Sequence, residues 1–229
     1  MRVTALAFLF APLSMALVIG APTSIGPETV VVPSGKLRLK AYLWKPNGPG
    51  PFPTVLFNHG SGGADADHTA GLVMTEAAEN LAPLFLKHGY AFLYLFRRGQ
   101  GLSADQSRFM QDILQQEEAA KGKQARQHLQ FMLTTTDHLD DVLAGLSLLK
   151  TASAIDAKRI AIVGHSFGGQ VTLLAAENDN MVRAVVTFAA AAGSWELSPE
   201  IAPATRSCGG KDNGSDHADP SRKRLQHST

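Results

Sequence analysis

Ile160-Ala161-Ile162-Val163 runs without a break into Gly164-His165-Ser166-Phe167-Gly168-Gly169, and this stretch decides the fold. A short, wholly apolar run rich in branched side chains suits a strand covered on both faces by helices. The Gly-x-Ser-x-Gly pattern after it suits a sharp strand-to-helix corner, a nucleophile elbow, with glycines where side chains would meet the neighbouring strand or helix. Such a corner lifts the Ser166 hydroxyl clear of the sheet at the positive end of the next helix. The pattern alone also fits a plain strand-loop-helix corner, so context has to carry the reading. A helix expected from about Gly168 to Glu177, with Val171, Leu174 and Ala175 on one side, supplies part of that context.

The rest comes from upstream. Val30 to Val32 and Leu37 to Trp44 flank Pro33-Ser34-Gly35 and read as a hairpin, whereas Lys45 to Pro53 is too rich in Pro and Gly to be anything but a loop. Thr54 to Phe57 reads as a third strand leading into Asn58-His59-Gly60-Ser61-Gly62-Gly63. A glycine-rich bend at the end of a buried strand exposes backbone N–H groups, which is what an oxyanion hole needs. A helix is expected over about Glu76 to Lys87, with Pro83 breaking or restarting it. Tyr90 to Phe96 is a fourth strand, followed by the turn Arg97-Arg98-Gly99-Gln100-Gly101-Leu102-Ser103. Strands separated by helices imply right-handed crossovers and a mainly parallel sheet, so the three glycine-rich turns fall on one rim.

Asp105 to Leu133 is polar and helical by spacing, an insertion of about residues 104–135. It reads either as a lid over a substrate cleft or as a solvated helical extension. The next helix is capped by Thr136, has Asp137, Asp140 and Asp141 at its positive end, and carries an apolar face of Leu139, Val142, Leu143, Leu146 and Leu149. Beyond the elbow, Val182 to Phe188 is a further strand and Ala189 to Gly193 a small-residue turn.

A chain of 229 residues holds one sizeable domain. With 21 Lys and Arg against 20 Asp and Glu, scattered except at Arg222-Lys223-Arg224, there is no footprint for nucleic acid or an anionic membrane. Met1 to Gly20 reads as a signal peptide, with Arg2 before an apolar run, so the protein is expected to be exported to a periplasmic or extracellular space; an uncleaved signal anchor is the competing reading. Cys208 is the only cysteine, so no intrachain disulfide can form.

Taken together, His59-Gly60-Ser61-Gly62-Gly63, Arg97-Arg98-Gly99-Gln100-Gly101 and Gly164-His165-Ser166-Phe167-Gly168-Gly169 resemble the α/β-hydrolase superfamily, in its dienelactone hydrolase and prolyl-oligopeptidase-like branch. The resemblance covers about Val30 to Pro199 and implies an α/β fold, a mainly parallel sheet with helices on both faces, over residues 21–201. It implies Ser166 as the nucleophile and the backbone N–H groups of Ser61 and Phe167 as the oxyanion hole. Dienelactone hydrolases have a cysteine nucleophile, so the serine points toward the esterase and peptidase relatives. The implied reaction is cleavage of a carboxylic ester through a Ser166 acyl-enzyme. A serine peptidase on short peptides is the alternative, and a non-catalytic remnant or binding protein the alternative from another class. The expected partner is therefore a small-molecule ester or short peptide. No cofactor and no metal are expected, since Asp65, Asp67 and His68 read as a polar loop. His59 is expected to order the oxyanion loop rather than to act as base, and His165 to point into the core.

The family order is Ser, then Asp, then His. After Ile201 the composition changes abruptly, and Ala204 to Thr229 holds Leu225 as its only large aliphatic residue. Asp212, Asp216, Asp219, His217 and His227 lie in a stretch that cannot form a buried strand, so the triad acid and base, and the last strands of the fold, are expected to be missing. Reading the codons of Gly210 to Ser228 one base later permits the string V-K-I-T-A-P-I-M-L-I-H-P-A-N-D-Y-S-T, an apolar strand followed by a turn with an aspartate. Residues 202–229 are therefore expected to be a disordered, out-of-frame tail, activity to be impaired, and Val182 to Phe188 to form a bare hydrophobic edge.

Overall fold

The structure, a computed structural model, describes residues 26–61, 72–190, 198–201 and 203. The expected signal peptide, Gly62 and Gly63, the Asp65, Asp67 and His68 loop, most of the turn after Ala190 and the tail from 204 lie outside the described residues.

Among these residues the apolar runs form one sheet of six strands in the order β1-β2-β4-β3-β5-β6. The strands are β1 (Glu28–Ser34), β2 (Leu37–Trp44), β3 (Phe52–Asn58), β4 (Ala91–Phe96), β5 (Ile155–His165) and β6 (Val182–Phe188). The opening hairpin is antiparallel, and β2 pairs antiparallel with β4; β4, β3, β5 and β6 run parallel. The carboxyl ends of β3, β4 and β5, and with them the three glycine-rich turns, therefore share one rim.

Side chains alternate across the sheet with a period of two, and β4 shows it most plainly. Phe92, Tyr94 and Phe96 pack toward α1 (Leu72–Leu86), in a layer with Trp44, Val55, Phe57, Ala78 and Ala82. Leu93 and Leu95 point the other way, into a layer built from α4 (Asp137–Thr151) and α5 (Phe167–Asn178) through Leu139, Val142, Leu146, Leu149, Val171 and Leu174. Each fully buried leucine here contributes about 1.5–3 kcal/mol. Gly145 lets α4 approach closely, since a Cβ there would stand 2.9 Å from Leu56 Cδ1.

Several local expectations need correction. Pro83 does not break its helix: α1 runs to Leu86 with Pro83 inside it, and Lys87 N–H donates to the Pro83 carbonyl. Pro83 lies in the last turn, and both it and Glu79, whose carbonyl loses its i+4 donor, are exposed residues. Thr136 does not cap α4 with its side chain; its hydroxyl donates back to the Met132 carbonyl of the preceding helix. The insertion is a helical hairpin, α2 (Met110–Lys121) and α3 (Lys123–Thr135), parted at Gly122, whose φ of 85° suits glycine. Met110 and Leu114 anchor it in the α4 layer.

Among the described residues β6 pairs with β5 alone. Val185, Val186 and Phe188 are 40%, 43% and 55% exposed, so among the described residues this strand is the apolar margin of the sheet.

Candidate active site

β5 ends at His165, α5 begins at Phe167, and Ser166 alone makes the corner. Its backbone has φ 52° and ψ −123°, a conformation that costs a side-chain-bearing residue about 1–3 kcal/mol. Two hydrogen bonds hold it there: Ser166 N–H donates to the Phe188 carbonyl at 2.9 Å, and Gly169 N–H donates to the Ser166 carbonyl at 2.9 Å. The flanking glycines are needed for space. A Cβ on Gly164 would overlap the Gly168 carbonyl and the Thr172 hydroxyl, and one on Gly168 would overlap the carbonyls of Asn58 and His59. The bend after β3 is equally close, because a Cβ on Gly60 would lie 3.2 Å from Ser166 Cβ. Asn58 Nδ2 also donates to Thr172 Oγ1 at 2.7 Å, tying the end of β3 to α5.

His59 is buried and both of its ring nitrogens are engaged. Arg97 N–H donates to Nε2 at 3.3 Å, which puts the proton on Nδ1, and Nδ1 donates to the Gly60 carbonyl at 2.6 Å. Burial, and then the Arg97 charge, hold its pKa well below 6.5. A neutral imidazole with no free nitrogen orders the loop, as expected, and does not serve Ser166 as a base. His165, by contrast, does not point into the core. It shares the α1 face of β5 with Val163 but lies at the strand's end, where it is exposed and lines an open groove of about 430 Å³ with His59, Gly60, Tyr94 and Phe188.

Beneath the rim lies a charged layer whose residues read in sequence only as a turn and a helix start. Arg97 is fully buried, its guanidinium carbon 5.3 Å from the centre of the Phe167 ring, and burial lowers its pKa to about 10, which leaves it charged at neutral pH. His138 meets the same ring edge-on at 5.2 Å and is held neutral by burial and by the nearby Arg97 and Arg98 charges. Arg98 forks onto the buried Asp141 and also reaches Asp137 at 2.9 Å. The available signal was His138, Asp141 and Gly145, non-apolar residues at i, i+3 and i+7 among the leucines of α4.

The structure brings Ser166, Phe167 and the Gly60-Ser61 bend together at the start of α5. Ser61 is exposed and Ser166 half-buried. Among the described residues no side chain is hydrogen-bonded to the Ser166 hydroxyl, and no three His, Cys, Asp or Glu side chains gather as a metal site would require. Also among them, no helix is long and apolar enough to cross a membrane.

A mainly parallel sheet flanked by helices, with a strained serine between strand and helix and a glycine bend beside it on the same rim, defines an α/β-hydrolase. Residues 39–226 match the model of the dienelactone hydrolase family, and the chain belongs to that family of hydrolases. It is similar to the quorum-quenching protein AidA of Acinetobacter baumannii (strain MDR-ZJ06), at 30% identity over 161 residues, covering 70% of this chain and 43% of the relative. The chain thus spans less than half the length of that curated relative. Among solved structures it is similar to the 2,6-dihydroxy-pseudo-oxynicotine hydrolase, with TM-score 0.49 and 21% identity over 69% of this chain and 35% of that one. It is also similar to the dienelactone hydrolase-like promiscuous phosphotriesterase P91 from metagenomic libraries, with TM-score 0.46 and 23% identity over 71% of this chain and 58% of that one.

Proposed function

We propose that this chain carries the nucleophile half of a serine hydrolase acting on carboxylic esters. The observation that carries the reading is the strained Ser166 backbone at the first turn of α5, with the Gly60-Ser61 bend packed against it. In the proposed reaction Ser166 Oγ attacks the ester carbonyl carbon and its proton passes to a general base. The oxyanion is met by the N–H groups of Ser61 and Phe167. Collapse expels the alcohol, which takes up the proton, and water then cleaves the acyl-enzyme to release the acid and free Ser166. Among the described residues no side chain is hydrogen-bonded to the Ser166 hydroxyl as such a base would be; without a base the reaction would run slowly, on the oxyanion hole and substrate binding alone.

The test is hydrolysis of p-nitrophenyl butyrate and of a butyrolactone by the purified chain and by Ser166→Ala. Loss of rate in the variant supports the ester reading. Cleavage of alanyl or prolyl p-nitroanilide that depends on Ser166 would replace it with the peptidase reading. A folded chain with neither activity would leave the non-catalytic reading. Sequencing the source DNA from the Trp195 codon past the stop tests the out-of-frame reading of residues 202–229, and sequencing the N-terminus of the mature protein tests export.

A further inference from the structure

We propose that Arg97 is the positioning residue for both halves of the oxyanion hole: it sets the plane of the Gly60-Ser61 peptide and seats Phe167. The inference rests on the reading of Ser166 as nucleophile with Ser61 and Phe167 N–H as donors, and adds what aims those donors.

The first half concerns one peptide plane. Arg97 Nη2 donates to the Gly60 carbonyl at 3.2 Å, beside the 2.6 Å bond from His59 Nδ1. The Gly60-Ser61 peptide is trans. In a planar trans peptide the C=O and the N–H of the next residue point in opposite directions. A Gly60 carbonyl drawn down onto buried Arg97 and His59 therefore turns the Ser61 N–H up, away from the core, on the side where the Gly60 backbone packs against Ser166. Without Arg97 the His59 Nδ1 bond alone holds this carbonyl, and a peptide flanked by Gly60, which accepts φ and ψ values closed to other residues, is freer to tilt about it.

The second half concerns Phe167, whose ring lies beneath the guanidinium and against the His138 edge. This contact fixes the first residue of α5, so one cation touches both donor-bearing segments. Packing alone does not account for that cation. Taking an arginine out of water costs several kcal/mol, an apolar side chain of similar volume commonly serves stability as well or better, and Arg97 Nε and Nη1 find no hydrogen-bond partner among the described residues.

The test uses the full chain with Arg97→Met, which keeps the volume and removes the fork, and Arg97→Lys, which keeps the charge. For p-nitrophenyl butyrate we expect kcat to fall about 10- to 100-fold in Arg97→Met with KM within about twofold, because a misaimed oxyanion donor is felt in the transition state. Arg97→Lys should recover part of that loss. A purely structural role would instead lower the urea midpoint and leave kcat per folded molecule unchanged, which overturns the proposal. Crystal structures of wild type and Arg97→Met judge it without turnover: a rotated Gly60-Ser61 peptide supports it, and an unchanged plane sinks it even if Ser166 proves to be the nucleophile. Conversely, hydrolysis that survives Ser166→Ala would remove the nucleophile reading while the peptide comparison still decides the role of Arg97. Should Arg97→Met not fold, Arg97→Gln is compared in the same two ways.

Discussion

Asp141 lies wholly buried beneath Arg98, whose Nη2 meets Oδ1 at 2.7 Å while Nε reaches Oδ1 and Oδ2 at 3.1 and 3.0 Å. The same carboxylate accepts Arg98 N–H at 2.9 Å and the Ser34 hydroxyl at 2.8 Å, so a single side chain of α4 pins the turn after β4 and the end of β1. Removing one partner of a buried pair costs about 3–5 kcal/mol when the other charge is stranded. Asp141→Ala leaves Arg98 partly exposed and still paired with Asp137, so it should lose less than that in urea unfolding, about 2–3 kcal/mol. Ser34→Ala, which removes one neutral donor, should lose about 1 kcal/mol. The two losses should not add in the double variant, because the Ser34 bond ends on Asp141 itself.

Acid should weaken the fold through two histidines. His59 and His138 are both buried, with pKa values held well below 6.5, first by desolvation and then by Arg97, joined at His138 by Arg98. A native state that stays neutral while the unfolded chain takes up protons loses stability as pH falls below about 6.5, and loses none above it. The slope approaches about 1.4 kcal/mol per pH unit for each histidine. Urea midpoints measured from pH 7.5 down to 5.0 should bend downward below 6.5, and His138→Phe should remove about half of that slope.

Gly168→Ala tests the elbow's geometry directly. Its Cβ would be driven into the Asn58 and His59 carbonyls, which are backbone atoms at the end of a central strand and cannot swing aside as a side chain could. Overpacking of this kind costs about 1–3 kcal/mol, and here it should also push the Gly60-Ser61 bend away from Ser166. The expected result is a lower urea midpoint together with loss of any Ser166-dependent hydrolysis. Gly122→Ala sets the scale from an open position: nothing lies within 4 Å of its Cβ, so only the φ of 85° is penalised.

The strands and the elbow were legible because both are local: apolar runs give β3, β4 and β5, and the Gly-x-Ser-x-Gly pattern gives the corner between β5 and α5. The layer beneath the site was not. Arg97 reads in sequence as a turn residue and Asp141 as a favourable acid near a helix start. Their roles depend on Gly60 and Ser34, 37 and 107 positions away, and no local spacing encodes such a pairing. Pro83 and Thr136 misled for the opposite reason, since proline breaks a helix and threonine caps one only on average. An exposed last turn at Pro83 and a neighbouring Met132 carbonyl at Thr136 overrode those preferences. His165 directly follows a buried strand and so reads as a core residue, although β5 ends there and its α1 face opens into the groove.

The edge at β6 gives the last prediction. Phe188 supplies the carbonyl that holds Ser166 N–H, so this strand cannot be distorted without moving the elbow, yet its side chains are among the most exposed apolar groups described. A long hydrophobic edge of this kind templates strand pairing with another molecule, and a lysine on it opposes that pairing by charge. Val186→Lys places a charge on a residue 43% exposed, on the sheet face it shares with Val55, Phe85 and Val163, and touches none of the backbone bonds to Ser166. It should lower light scattering and the sedimenting aggregate fraction at micromolar protein concentration while leaving the urea midpoint within about 0.5 kcal/mol of wild type. Aggregation unchanged by the lysine would locate the self-association elsewhere on the chain.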